Sequence, residues 1–359
     1  MVEKSRPDSI NSSAKNQESL LISLTKKFGR VGEVAVQQTR KLFEQSTHVA
    51  GQVTTHLGNN WLIRKLAGVL NLNWLVGAAS TVDLEKAETQ VKKLQQTYPN
   101  ESPQQIAHRI MVEKATKAGG IGLATSVIPG FAAALLAIDL AATTELQSEM
   151  VYQIAAVYGL DLKEPARKGE VLAIFGLALG GGRLLKAAGL GLLRNVPFAG
   201  AVIGASSNAT MIYSLGYAAC RFYEAKLDES TTLSSDATLS TLKQESEDYL
   251  KNAIAQKAIM DKILVYMVIS GNPDKNWQEI LPELQALEID SLSLDDVSNN
   301  INSPQAIAEL LNQLDRDYAI PLLAQCRRIA ELNGEITPQE QQVIDAMHQK
   351  CRSAIPSKI

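Results

Sequence analysis

Residues 119–147 read GGIGLATSVIPGFAAALLAIDLAATTELQ, and the fold turns on them. No charged side chain separates Lys117 from Asp139. A bilayer core takes about 20 apolar residues in one continuous helix. Pro129 lacks a backbone donor and Gly130 is a poor helix former, so the neutral run divides at that pair. The part before it is too short to cross. The part after it is expected to continue through Glu145 and Glu149 to Tyr158, a helix of about 42 Å at 1.5 Å per residue. Its first half is apolar all round and its second half amphipathic, the pattern of a helix that enters a core and emerges from it. Asp139 interrupts the apolar half. A charge deep in hydrocarbon needs a partner or a function. In a helical bundle Asp139 would cap a neighbouring helix or pair with a base such as Arg183 or Arg194; the other reading is catalytic or ion-conducting.

The second apolar region, residues 175–209, reads FGLALGGGRLLKAAGLGLLRNVPFAGAVIGASSNA. Gly176 and Gly180 form one small-xxx-small pair, and Gly200 and Gly204 another. Glycines four apart let two helix backbones approach closely, in membranes and in tight bundles alike. The uncharged run from Asn195 to Cys220 is interrupted as a span by Pro197, Ser206, Ser207 and Asn208. The chain therefore holds near-spans and no clean one, which favours shallow insertion or a buried hairpin.

Composition agrees with a helical protein. Of 359 residues 45% are hydrophobic and only 5% aromatic, and mean hydropathy is −0.04. Strands draw on β-branched and aromatic residues, and the sparse aromatics argue against sheets. The net charge of −3 hides a gradient. Residues 1–117 carry sixteen Lys/Arg against ten Asp/Glu, 118–225 seven of each, and 226–359 twelve against twenty-one. A membrane surface could attract the basic front at about 1 kcal/mol per well-placed base; ordinary solvated helix faces would look the same. Cys220, Cys326 and Cys351 are too scattered for a disulfide framework or zinc site. The opening MVEKSRPDSINSSAKNQES lacks a signal peptide's apolar core, so an intracellular chain is expected.

Along the chain, residues 1–18 read as a disordered lead-in. From Leu20 to about His56, apolar residues recur at three- and four-residue steps with basic residues largely elsewhere. The segment WLIRKLAGVLNLNWLVGAA, with Trp61 and Trp74, is a core helix or an interfacial one. Ser102-Pro103 opens a helix with a cap and a proline at its first position. Ser/Thr-rich residues at 227–246 mark a linker and helix start. These signals divide the chain into a module over 19–226 and an acidic module over 247–353. In the latter, SGNPD ends a helix, Ser303-Pro304 starts one, Asn333-Gly334 stops one, and Thr337-Pro338-Gln339-Glu340 is a capping box. Val265–Ile269 alone would pass for a strand, but the length of its surroundings favours helix. The expected class is all-α.

Catalytic patterns are missing. No Gly-Lys-Ser/Thr phosphate loop, Gly-x-Ser-x-Gly elbow or HExxH occurs. His48, His56, His108 and His348 are dispersed. Ser206 and Ser207 beside Asn208 read as polar helix contacts, not nucleophiles. The residues call for no cofactor, and without a dense basic and aromatic stripe they do not suggest nucleic acid.

The stretch TSVIPGFAAALLAIDLAATTELQSEMVYQIAAVYGLDL, followed by a glycine-rich segment and VPFAGAVIGASSNATMIYSLGYAACRFY, resembles the bacterial EcsC family over roughly 60–225. Pro129-Gly130, Asp139, Gln147, Tyr158-Gly159 with Asp161, Pro197 with Gly200 and Gly204, and Asn208 carry the likeness. The resemblance implies a helical, membrane-linked accessory protein. The last third is similar to the TerB type of tellurite-resistance domain. CRRIAELNGEITPQEQQVIDAM resembles that family's second helix junction, and ILVYMVISGNPDKNWQEILPEL a degenerate first copy. Asn333 stands where the family usually has Asp. A metal site at Glu335 and Glu340 would follow from the family; a helix stop and capping box explain the same residues.

The expected function is therefore a non-enzymatic membrane-associated adaptor on the cytoplasmic side. A membrane lipid surface and a protein, such as a transporter or stress complex, are its expected partners. A soluble lipid- or apolar-ligand-binding protein is the alternative, and a hydrolase built on Asp139 the third reading.

Overall fold

The computed structural model describes residues 82–126, 132–178, 205–228, 235–286, 298, 306–332 and 335–352. These residues are 85% helical and contain no strand, so the class is all-α. The described residues form ten helices: α1 (Leu84–Thr97), α2 (Pro103–Ser126), α3 (Ala132–Val157), α4 (Ala166–Ala178), α5 (Ala205–Leu227), α6 (Asp236–Gly271), α7 (Trp277–Ala286), α8 (Ile307–Gln313), α9 (Arg316–Leu332) and α10 (Pro338–Arg352). The amphipathic segment before residue 57 and the Trp61–Trp74 segment lie outside the described residues, as does Ser303-Pro304.

Local chemistry sets the helix ends. Asp83 accepts from the Lys86 amide at 3.0 Å and starts α1. At α2 the Ser102 Oγ accepts from the Gln105 amide at 3.3 Å, and Gln105 Oε1 from the Ser102 amide at 2.8 Å. That is a reciprocal capping box with Pro103 at the first helical position. Thr337 and Glu340 repeat it at α10, at 3.1 and 2.8 Å. Gly159 closes α3 with φ +76°. Its amide donates to Ala156 O, and that of Leu160 to Ala155 O, at 3.0 and 3.1 Å. This Schellman closure requires a left-handed residue, the conformation glycine adopts without strain. Val265–Ile269 lies inside the 36-residue α6, as the length of its surroundings requires.

α2 and α5 form the centre, packed antiparallel. Met111 of α2 lies against Gly216 of α5, and Ala118 against Asn208 about two turns further along. A Cβ at Gly216 would collide with the buried Met111 side chain, which would have to shift. α3 returns antiparallel to α2, joined by Lys114 and Glu149. α4 is joined to the end of α5 by Glu170 and Lys226.

One buried apolar cluster continues from these helices into α6, α9 and α10. Tyrosines fill the seam. Tyr217 stacks on Tyr249 with centroids 4.2 Å apart, and Tyr213 meets Tyr318 at 4.9 Å. Arg221 grips Glu245 through two bonds of 2.9 and 3.0 Å. Pro321 sits inside α9. It cannot donate to the carbonyl four residues back, that of Asp317. The Tyr213 hydroxyl donates to that carbonyl instead, at 2.7 Å.

Candidate functional site: an uncharged end of the bundle

The antiparallel register brings three termini together: the C-terminus of α2 and the N-termini of α3 and α5. The chain has no charged residue over 118–138 or over 195–220. Among the described residues, members of both runs lie toward one end of the bundle. From Ala118 to the end of α2, and from the start of α3 to Ile138, the charge-free lengths are about 13 and 10 Å at 1.5 Å per residue. Neither approaches the roughly 30 Å of a hydrocarbon core. Among the described residues no helix is long and apolar enough to cross a membrane.

Charge collects at the opposite end. Arg167, 1% exposed, donates to Glu164, to Glu170 and, through Nε, to the Asp161 carbonyl at 3.0 Å. Lys226 completes the chain by donating to Glu170 at 2.6 Å. Beside it the Tyr158 hydroxyl donates to Glu224 at 2.8 Å, and Arg221 bridges Glu224 and Glu245. The Glu245 hydrogen bond raises the Arg221 guanidinium above its ordinary range, while burial and nearby acidic groups raise the Tyr158 phenol. A buried ion network of this kind holds only when its members are mutually satisfied. Here it fixes α4, α5 and the end of α3 to one another.

Between the two ends lies a polar layer. Lys114 of α2 is 2% exposed and donates to Glu149 of α3 at 2.6 Å. Burial lowers its ammonium pKa, against the pull of Glu149. Gln147 and Ser148 of α3 and Asn208 and Ser214 of α5 are also buried. Asn208 Nδ2 reaches the Ala118 carbonyl at only 3.5 Å, the far limit of a hydrogen bond. The hydroxyls of Ser148 and Ser214 have no partner.

Asp139 lies in the first half of α3 and Asn208 near the start of α5. Gly176 lies on α4. Arg183, Arg194, Gly180, Gly200 and Gly204 lie outside the described residues. Glu335 is exposed. Glu340, fully buried, caps α10 through the Thr337 amide. Among the described residues no group of three His, Cys, Asp or Glu side chains could hold a metal ion. Cys220 and Cys326 are buried, and burial pushes both thiols up to about 12. A half-open groove of about 220 Å³ lies at the α1–α2 turn, lined by Gln95, Tyr98, Pro99, Glu101, Pro103 and Ile106. Its Glu101 is occupied by both arms of Arg109, which also covers the Tyr98 ring.

The buried pairs Lys114–Glu149, Arg167–Glu170 and Lys257–Asp261 were not singled out from the sequence. The two pairs within a helix have local spacings, i,i+3 and i,i+4, that could have flagged them. Lys114 and Glu149 stand 35 residues apart and offered no such signal. Compared with known proteins, the chain matches no family model, no curated protein and no solved structure.

Proposed function

We propose that this chain is a non-enzymatic adaptor that docks on the cytoplasmic face of a membrane. The uncharged end of the α2–α3–α5 bundle dips into one leaflet, and the acidic module beyond residue 226 recruits a protein with a basic surface. One observation carries this reading. The described parts of two charge-free runs, separated by more than fifty residues of sequence, lie toward the same end of the bundle, and the ion network occupies the other. Their reach of about 10–13 Å suits the depth of a single leaflet, where interfacial helices sit. The basic balance of residues 1–117 adds attraction to anionic lipid. The resemblance to the EcsC family over roughly 60–225, and to TerB-type domains beyond, favours a membrane-linked accessory role.

Flotation with vesicles of phosphatidylcholine and phosphatidylglycerol tests the proposal. The full chain is expected to float with the vesicles, more completely as the anionic fraction rises. A protein that stays in the dense fraction at every composition overturns it.

A further inference from the structure

Arginines in this structure are anchored in two ways. Arg109 is bonded to Glu101, Arg167 to Glu164 and Glu170, and Arg221 to Glu224 and Glu245, so each of these charges is matched by a carboxylate. Arg316 and Arg327 of α9 are held by neutral acceptors instead. Arg316 donates through Nε to the Cys351 carbonyl, in the last turn of α10, at 3.1 Å. Arg327 is bonded to Nε2 of His348; a guanidinium can only donate, so the ring nitrogen accepts. Both groups lie close enough to Cys351 to act on its thiol, which burial pushes up and the two guanidinium charges pull down. The acids beside Arg316 are turned to other bases: Asp317 contacts the His108 ring at 3.2 Å, and Asp315 lies in the field of Lys350. Among the described residues neither Arg316 nor Arg327 forms an ion pair, so one face of α9 and α10 carries two unmatched charges with N–H donors to spare.

We propose that Arg316 and Arg327 together bind a phosphate monoester carried by a protein partner, on a phosphorylated Ser, Thr or Tyr side chain. A guanidinium presents its donors in a planar fork that matches phosphate oxygens two at a time. Two such groups balance the charge of about −2 that a phosphate monoester carries at pH 7. Arg327 is exposed and Arg316 half-buried, so the face suits a group presented from outside. The Cys351 carbonyl and the His348 ring hold the two forks in place without cancelling their charge, which lowers the ordering cost of binding. Placement selects the carrier. Asp317, the neighbour of Arg316, contacts His108, which lies about 27 Å along α2 from Ser126 at 1.5 Å per residue. With the uncharged end in a leaflet, this face stands clear of the lipid headgroups and open to a protein; the choice of carrier, though not the phosphate site, rests on the docking reading above.

The test titrates the full chain, without vesicles, into the peptide acetyl-Gly-Gly-phosphoserine-Gly-Gly-amide and reads binding from the broadening of its phosphorus NMR line. Wild type is expected to broaden the line, and excess unphosphorylated peptide not to reverse it. Arg327→Gln is expected to weaken binding about tenfold, the loss of charge-assisted bonds. Arg316→Lys keeps the charge and a donor for the Cys351 carbonyl but loses the fork, and is expected to weaken binding about fivefold or more. Arg328→Gln removes the same charge from the exposed neighbouring position and is expected to leave binding within about twofold. Circular dichroism checks that each variant folds. A phosphopeptide that does not bind, or that binds Arg327→Gln as it binds wild type, overturns the proposal. Equal losses in Arg327→Gln and Arg328→Gln also overturn it, since they report net charge alone. Inorganic phosphate that binds where the phosphopeptide does not overturns the protein carrier. So does loss of flotation with phosphatidylcholine–phosphatidylglycerol vesicles when Arg316→Gln and Arg327→Gln are combined, which would assign the face to lipid. Wild type that binds the phosphopeptide but fails to float overturns the docking reading and leaves the phosphate site standing.

Discussion

The link between Tyr213 and Pro321 offers a sharp test of how α5 and α9 are joined. Removal of the Tyr213 hydroxyl in Tyr213→Phe deletes the 2.7 Å bond to the Asp317 carbonyl. The ring is 1% exposed and its contact with Tyr318 survives, so packing is retained. Loss of one such bond at a part-buried site costs about 1–2 kcal/mol. Pro321→Ala places an amide four residues beyond Asp317, where the helix itself can donate to the same carbonyl. In that background Tyr213→Phe should cost less than about 0.5 kcal/mol, leaving a coupling of about 1 kcal/mol. Urea unfolding followed by far-UV circular dichroism across the four proteins gives the cycle. Equal cost of Tyr213→Phe in both backgrounds refutes the substitution of a tyrosine hydroxyl for the missing helix donor.

Gly216→Ala should destabilise by about 1–3 kcal/mol, since the new methyl collides with Met111 Sδ and Cγ, which are buried and must shift. Combination with Met111→Ala should recover part of that loss; strict additivity in denaturant unfolding would contradict the close crossing. Gln325 is fully buried with neither amide atom bonded, so Gln325→Met should stabilise by about 1–3 kcal/mol; a lower denaturation midpoint would contradict this. The thiols of Cys220 and Cys326 are raised from 9.0 to about 12. Above pH 9 the unfolded chain loses these protons while the folded chain keeps them, so stability falls from there toward pH 12. The slope is about 1.4 kcal/mol per pH unit for each thiol, and replacing both with Ala should flatten it. Reaction with a thiol reagent at neutral pH should stop at Cys351 in the native protein; rapid loss of all three thiols would contradict the burial.

Local signals were read well from the sequence where the physics is local. Ser102-Pro103 and Thr337-Pro338-Gln339-Glu340 specify their caps within four residues, and both caps form as expected. The helix after Gly130 runs over Ala132–Val157, within a residue of its expected bounds. The joining of the two sequence modules was not legible. Tyr213, Tyr217, Tyr249 and Tyr318 lie far apart in the chain, and their contacts depend on how α5, α6 and α9 pack. Pro321 inside a helix has its compensating donor 108 positions away, where no window of sequence would show it. The uncharged end is an intermediate case: both charge-free runs are plain in the sequence, but only the antiparallel register brings their described parts, on α2, α3 and α5, toward one end.

Depth of immersion tests the docking account most directly. A fluorophore is attached at Ser126→Cys, at the end of α2, or at Lys163→Cys, exposed beside the ion network, each with Cys351→Ser. Vesicles carrying quenchers on the lipid chains are then added. The account predicts strong quenching at position 126 and none at 163. Quenching at 163 alone, or equal quenching at both, would contradict it.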